Sequence, residues 1–165
     1  MDILSRERLR TFVHDEIVYR TIRLQTSGPR DPRNTRGIVE AERQGLTLRV
    51  CTRERAFADC LDRLDLTRGL QAFAEELMDA RGLDPDALVQ HALDNGSRIA
   101  AARLVLLMEQ NRELRRAHAA MERLARLRPL TPTVFDPAER EGGRLVPRWN
   151  AIIPEWFFEI RRNLY

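Results

Sequence analysis

The sequence predicts an α+β fold, in which an N-terminal β-hairpin or small sheet precedes a central bundle of about five helices and short C-terminal strands. The apolar residues support this order, because they suit strands along residues 1–51 and change at Thr52 to the i, i+3, i+4 spacing of amphipathic helices. Proline and glycine punctuate residues 129–165, as is typical of short strands and turns. With 165 residues, 43% of them apolar, the chain is long enough to form one domain over 1–165 with a buried core.

Residues 1–51 are predicted to be mainly strands and loops. Strand-forming side chains within 17–24 indicate one strand, and the polar stretch 28–34, rich in proline and glycine, indicates a loop. The segments 37–43 and 46–51 flank a Gln-Gly pair, which predicts a β-hairpin. Apolar residues alternate along its second strand and predict that one face is buried, through Leu46, Leu48 and Val50.

Residues 52–128 are predicted to be helical, and residues with capping preferences mark most of the helix boundaries. Serine, threonine and aspartate favour the first position of a helix, proline its first turn, and glycine the position after its end. The predicted boundaries are Thr52 for the start of the first helix, Gly82 for the end of the second, Asp84-Pro85 and Asn95-Gly96 for the third, and Ser97 and Gln110 for the fourth.

The fourth helix is predicted to be the most buried one. Arg103 is the sole charged residue within 99–108, so apolar side chains occupy every face of this helix. A buried guanidinium is costly without a partner, and we expect a structural pair with the carboxylate of Asp59, Glu75 or Asp94, or with carbonyl groups at a helix C-terminus.

A fifth helix is predicted over 112–128, ending before Pro129, with arginine on one face. Guanidinium groups match phosphate and carboxylate geometry, so this face could bind nucleic acid or an acidic protein surface. The alternative is a solvated amphipathic helix, because all 28 basic residues of the chain are arginine and reflect a general compositional bias. A smaller basic group, Arg144 and Arg148, lies near Trp149 in the sequence. The alternative for this segment is a strand that packs Trp149 inward. The candidate nucleic-acid-binding or partner-binding residues are Arg112, Arg115, Arg116, Arg123, Arg126, Arg144 and Arg148.

The sequence offers little material for catalysis. His14, His91 and His118 are isolated, and no metal-ligand spacing, nucleophile motif or glycine-rich phosphate loop is present. Cys51 and Cys60 are nine residues apart and are interpreted as small core residues. We therefore expect no enzyme, no cofactor and no metal. Without a readable signal peptide or an apolar run of membrane-spanning length, we expect a cytoplasmic protein with no membrane partner.

Two central stretches resemble a known family. LTLRVCTRERAFADCLDRLDLTRGLQAFAEEL and LDPDALVQHALDNGSRIAAARLVLLME are similar to the C-terminal domain of the AbiEi family, the antitoxins of AbiE-type (type IV) toxin–antitoxin systems. The matching parts are the strand that enters a Thr-Arg-Glu-Arg-Ala turn, the helices around Asp59-Cys60 and Gly69-Leu70, and the helix that contains Arg103. The later segment FDPAEREGGRLVPRWNAIIP looks like the family's closing segment. The resemblance extends over about residues 37–154.

The resemblance implies a protein of abortive infection and phage defence that counteracts a nucleotidyltransferase-like toxin, without requiring a stable complex with it. Family members resemble two-part proteins whose N-terminal winged helix-turn-helix binds an operator. The 36 residues before Gly37 lack the helices of such a reader. We therefore expect a naturally shortened member, a fragment, or a chain whose start codon was placed late.

Three functions follow for comparison. The first is an antitoxin without catalysis of its own, with the toxin as its functional partner. The alternative is an accessory DNA-binding domain of a transcriptional autoregulator, which contacts DNA through phosphates. An enzyme acting on a nucleotide or RNA is the third and is disfavoured, because the sequence contains no recognisable catalytic motif.

Overall fold

The computed structural model describes residues 2–5, 10–14, 16–23, 35–43, 45–139 and 142–163. The fold is mixed α+β, as the sequence predicts. It divides into two compact units, Met1–Arg36 and Gly37–Tyr165. The prediction that one AbiEi-like domain extends over 1–165 stays a prediction.

The first unit is a small sheet. Strand β3 (Ile17–Arg23) lies in the middle, with β1 (Asp2–Ser5) parallel to it and β2 (Phe12–His14) antiparallel to it. The predicted strand at 17–24 is confirmed for residues 17–23. Leu24 and the predicted loop at 28–34 lie outside the described residues.

The second unit begins with the predicted β-hairpin. Strand β4 (Ile38–Arg43) pairs with β5 (Leu46–Cys51) in antiparallel register, from Ile38 opposite Cys51 to Arg43 opposite Leu46. The hairpin is confirmed, but the predicted burial of one face of β5 is wrong for its alternating apolar side chains. They are exposed by 64% at Leu46, 39% at Leu48 and 38% at Val50.

The described residues of the second unit include six α-helices. Helix α4 lies at the centre, and the fully buried residues 100–108 confirm the prediction that it is the core of the fold. Helices α1, α2 and α3 pack against it. The helices are α1 (Arg53–Asp62), α2 (Leu70–Asp79), α3 (Pro85–Asn95), α4 (Arg98–Gln110), α5 (His118–Arg123) and α6 (Glu155–Asn163).

The predicted caps of α1, α3 and α4 are present as hydrogen bonds. Thr52 Oγ1 accepts from the N–H of Arg55, Asp84 Oδ1 from that of Asp86, and Ser97 Oγ from that of Ala100. The C-cap Gly96 adopts the left-handed conformation with φ 70°. These short polar side chains and one glycine therefore set the helix boundaries locally, as the sequence indicates.

Helix α2 ends three residues before the predicted Gly82. Its C-cap Ala80 is extended, with φ −63° and ψ 135°, so the chain has left the helix before Gly82 is reached. The side chain of Asn111 satisfies the carbonyl groups of Leu77 and Met78 at this end. A long-range partner, rather than glycine, accounts for the earlier termination.

The predicted fifth helix over 112–128 is wrong as a single helix. A 3-10 turn (Leu114–Arg116) precedes α5, and another (Leu124–Leu127) follows it. Ala117 separates the first turn from α5, with φ −84° and ψ 53°. This break lets each short element direct apolar residues into the core, where Leu114, Ala120, Met121 and Leu124 are buried. Packing overrides the helical period, so the arginines of this region do not share one helix face.

The C-terminal region contains the predicted short strands. Strand β8 (Ala151–Ile153) lies between β6 (Thr133–Val134), which is parallel to it, and β7 (Arg144–Val146), which is antiparallel. Trp149 is buried, as one interpretation expects, but it lies in a 3-10 turn (Pro147–Trp149) and not in a strand. Helix α6 was not predicted; its Trp156 and Phe157 pack with Phe135.

A membrane-spanning segment is not found in the part of the chain that the structure describes. Each helix there is too short, or too polar, to cross a bilayer.

Candidate functional site

Three of the candidate arginines meet at one surface depression. Arg115 and Arg116 come from the 3-10 turn after α4, and Arg148 comes from the turn that carries Trp149. Together with Glu109, near the end of α4, and His118, the first residue of α5, they line a volume of about 440 Å³. We call this feature the basic depression. Residues distant in sequence are thus brought together by the packing of α4.

One carboxylate lies within the basic depression. Glu109 Oε1 is 2.9 Å from Nη1 of Arg148, in an ion pair whose side chains are 28% and 67% exposed, respectively. Exposed ion pairs contribute little to folding stability, since water solvates both partners well. The three arginines still outnumber this carboxylate, which leaves the depression with an excess of positive charge.

A second depression of about 370 Å³ adjoins the first, and we call it the adjoining depression. His118 and Arg148 line both of them. The remaining lining differs in character because it includes apolar side chains. It consists of Met121, Glu122, Ala125, Arg128 and Trp149.

Arg128 is a lining residue that the sequence analysis did not single out. Its Nη2 donates to the carbonyl oxygen of Pro147 at 2.7 Å and to Oδ1 of Asn150 at 3.3 Å. Its own carbonyl oxygen accepts from Nη1 of Arg98 at 2.7 Å. Arg128 therefore fastens the turn that carries Arg148. The sequence signal for it was slight, since it lies outside the predicted arginine face and just before Pro129.

The other candidate arginines lie elsewhere on the second unit. Arg112 lines a different depression, beside Arg81. Arg123 is held by Asp86 and Gln90, with Nη1 2.8 Å from Oδ1 of the aspartate and Nη2 2.7 Å from Oε1 of the glutamine.

Two further candidates stand apart from both depressions. Arg126 is exposed on the 3-10 turn after α5. Arg144 is 3.6 Å from the carboxylate of Glu155 and 4.6 Å from the ring centre of Phe158. The arginines of the predicted helix face thus occupy scattered positions, and two of them, Arg115 and Arg116, converge with Arg148 from the smaller basic group.

Arg103 has a structural environment. Its Nε donates to the carbonyl oxygen of Phe135 and its Nη1 to that of Leu61, both at 2.8 Å. Leu61 lies at the C-terminal end of α1, so the alternative of helix C-terminal carbonyls is confirmed. Burial lowers the pKa of Arg103 to about 10, although the negative charges of Asp136 and Asp62 oppose this shift. The guanidinium therefore remains charged at neutral pH.

The predicted carboxylate partners of Arg103 are wrong. Asp59 pairs with Arg55, at 3.4 Å from its Nε, and also accepts from Asn95. Glu75 accepts from Gln71, and Asp94 accepts from Gln90. Each carboxylate is engaged by a side chain one turn earlier in its own helix, whereas Arg103 points into the core.

The cysteines and histidines were considered as metal ligands and nucleophiles because of their chemistry. Within the described residues, no group of three His, Cys, Asp or Glu side chains is placed to hold a metal ion. Cys51 and Cys60 are both half-buried, so they lie at the margin of the core instead of inside it. Burial raises the pKa of the Cys51 thiol, which keeps it protonated near neutral pH. The Cys51 thiol is therefore not prepared to act as a nucleophile.

Comparison with known proteins adds no relative: no protein-family model matches the chain, and neither does a curated protein or a solved structure.

Proposed function

We propose that the chain is a non-catalytic antitoxin of an AbiE-like system and that it counteracts a nucleotidyltransferase-like toxin through the basic depression. The observation that carries this proposal is the convergence of Arg115, Arg116 and Arg148 on one concave surface. Guanidinium groups bind phosphate and carboxylate groups in forked geometry, so such a surface suits an anionic partner. The resemblance of residues 37–154 to the AbiEi family supplies the toxin class.

Growth rescue tests the proposal. The full chain is co-expressed with the product of the neighbouring gene, and we expect it to restore growth where that product is toxic. In the double variant Arg116→Gln/Arg148→Gln, rescue should be lost, because two of the three converging charges are removed. Both side chains are exposed, so folding should survive.

The matched control is Arg126→Gln. It removes an exposed arginine from the neighbouring 3-10 turn but leaves both depressions unchanged. Circular dichroism of each variant shows whether the fold is retained. A folded double variant that rescues as well as the control does would remove the basic depression from the proposal. A wild-type chain that never rescues would remove the antitoxin function itself.

The second candidate function is an accessory DNA-binding domain, and the scattered exposed arginines favour it. Arg112, Arg116 and Arg126 are exposed on different parts of the surface, as suits contacts with several phosphates. Such binding should lack sequence preference and weaken steeply as salt concentration rises, since counterions are released from DNA. Selective binding to one operator at physiological salt would contradict contacts made through phosphates.

A further inference from the structure

We propose that the basic depression and the adjoining depression together bind a nucleotide. Its phosphate groups lie among Arg115, Arg116 and Arg148, and its nucleoside lies in the adjoining depression. This inference rests on the proposed function and deepens it, because it gives the same surface a ligand class.

The positive charge of the basic depression is the reason for placing the phosphate groups there. Three guanidinium groups line the basic depression, against the single carboxylate of Glu109. Arginine donates paired hydrogen bonds that match two oxygens of one phosphate group. The half-buried Arg115 and the exposed Arg116 are adjacent in one turn, and Arg148 approaches from another part of the chain. Phosphate oxygens entering this space would be met from two sides.

The apolar side chains of the adjoining depression are the reason for placing the nucleoside there. The apolar side chains of Met121, Ala125 and Trp149 help to line the adjoining depression, whereas every side chain that lines the basic depression is charged or polar. Arg128 already donates to Pro147 and Asn150, so its guanidinium is engaged within the protein. A ligand with a charged end and an apolar, planar end matches this pair of surfaces. Volumes of about 440 and 370 Å³ lie within the usual range for small-molecule sites.

Glu109 acts as an internal competitor in this proposal. Its Oε1, 2.9 Å from Nη1 of Arg148, occupies the acceptor position that a phosphate oxygen would take. A bound phosphate must displace this carboxylate or tolerate its repulsion. Removing the negative charge of Glu109 should therefore strengthen binding.

Isothermal titration calorimetry with the full chain tests these steps. The titrants are ATP, inorganic triphosphate, adenosine and a short single-stranded oligonucleotide with a 5′-phosphate. We expect ATP to bind at least about tenfold more tightly than either triphosphate or adenosine, because each of these fills one depression. If the 5′-phosphorylated oligonucleotide binds more tightly than ATP, the ligand is still a nucleotide, but one at the 5′ end of a nucleic acid.

Three variants locate the site. Arg116→Gln/Arg148→Gln should weaken ATP binding at least about tenfold, whereas Glu109→Gln should strengthen it and Arg126→Gln should leave it unchanged. Thermal melting verifies that each variant is folded. Failure of ATP to bind the wild-type chain at millimolar concentration would overturn the proposal. Equal binding by the folded double variant and the control, or equal binding of ATP and adenosine, would overturn it too.

Growth rescue separates this proposal from the antitoxin function. If the chain rescues growth but ATP does not bind, the nucleotide inference fails and the proposed function stands. If ATP binds with the expected variant pattern but growth is not rescued, the antitoxin function fails and the nucleotide site stands.

Discussion

The side-chain amide of Asn111 lies 2.9 Å from the carbonyl oxygen of Leu77 and connects the end of α2 to the end of α4. Asn111 is fully buried and uses both ends of its amide. Nδ2 donates to three carbonyl groups, and Oδ1 accepts from two N–H groups of the turn that follows. The partners are Leu77, Met78 and Ala80 for Nδ2, and Glu113 and Leu114 for Oδ1.

Asn111→Ala should be among the most destabilising single substitutions in the chain. It removes a buried donor to the carbonyl groups of Leu77, Met78 and Ala80, and we expect the free energy of unfolding to fall by roughly 3 kcal/mol. Urea denaturation followed by circular dichroism measures the change. The matched control Asn95→Ala removes an exposed amide that donates to Asp59, and should cost less than about 1 kcal/mol. Equal losses would show that the buried amide does not hold α2 in place.

Shortening the core side chains of α4 should leave cavities. Leu104 and Leu107 are fully buried, so Leu104→Ala and Leu107→Ala should each lower the free energy of unfolding by roughly 2 to 5 kcal/mol. Leu130, which is 80% exposed, provides the control, because Leu130→Ala removes little buried surface. Thermal melts compare the three variants. Unchanged melting of both core variants would mean that α4 is peripheral.

Gly37→Ala should destabilise the second unit for two reasons. Gly37 has φ +68°, and a Cβ there would lie 2.6 Å from Cε1 of the buried His91. Left-handed backbone and overpacking together should cost roughly 2 to 4 kcal/mol. Gly45→Ala is the matched control, since Gly45 has φ +75° with open space around its Cβ position, and should cost about 1 to 2 kcal/mol. Denaturant titration distinguishes them, and equal costs would exclude the His91 contact as a constraint.

The thiol of Cys51 should react slowly at neutral pH. Burial raises its pKa, with Arg55 opposing the shift, so less thiolate is present than in an unfolded chain. In a Cys60→Ser background, the alkylation rate of the folded chain should rise with pH through a midpoint above that of the chain unfolded in urea. A midpoint at or below that of the unfolded chain would contradict the burial of this thiol.

The raised pKa of Cys51 also determines how the folding stability changes with pH. Because the folded state holds the Cys51 proton more tightly, its contribution to stability is present below the unfolded pKa and is lost as pH rises through the folded pKa. Cys51→Ser should therefore flatten the decline of stability at alkaline pH.

Local chemistry explains which boundaries the sequence predicts well. Helices α3 and α4 begin and end at the predicted residues, because Asp84, Gly96 and Ser97 act through hydrogen bonds or backbone angles within their own turns. Such interactions depend on neighbours in sequence, so they can be recognised without a structure.

The errors arise where distant residues decide the outcome. Asn111 ends α2 before Gly82, and the burial of Leu114, Met121 and Leu124 divides the predicted fifth helix. Hydrophobic periodicity does not reveal these contacts, because their partners are distant in sequence. The basic depression was predicted only in part. Arg115, Arg116 and Arg148 were identified as candidates, but their meeting with Glu109 depends on how two turns pack beside α4.

The connection between α3 and α4 contains no residue beyond the two that cap these helices. Two residues connect the helices, and each has a capping role. Gly96 adopts the left-handed backbone conformation that ends α3, and the side chain of Ser97 accepts from the N–H of Ala100 in α4. Deleting either residue removes a cap, and inserting one separates two caps that act in direct succession. Evolution can thus substitute residues around this corner far more easily than it can change the length of the chain there. Related chains should align without gaps across residues 95–98.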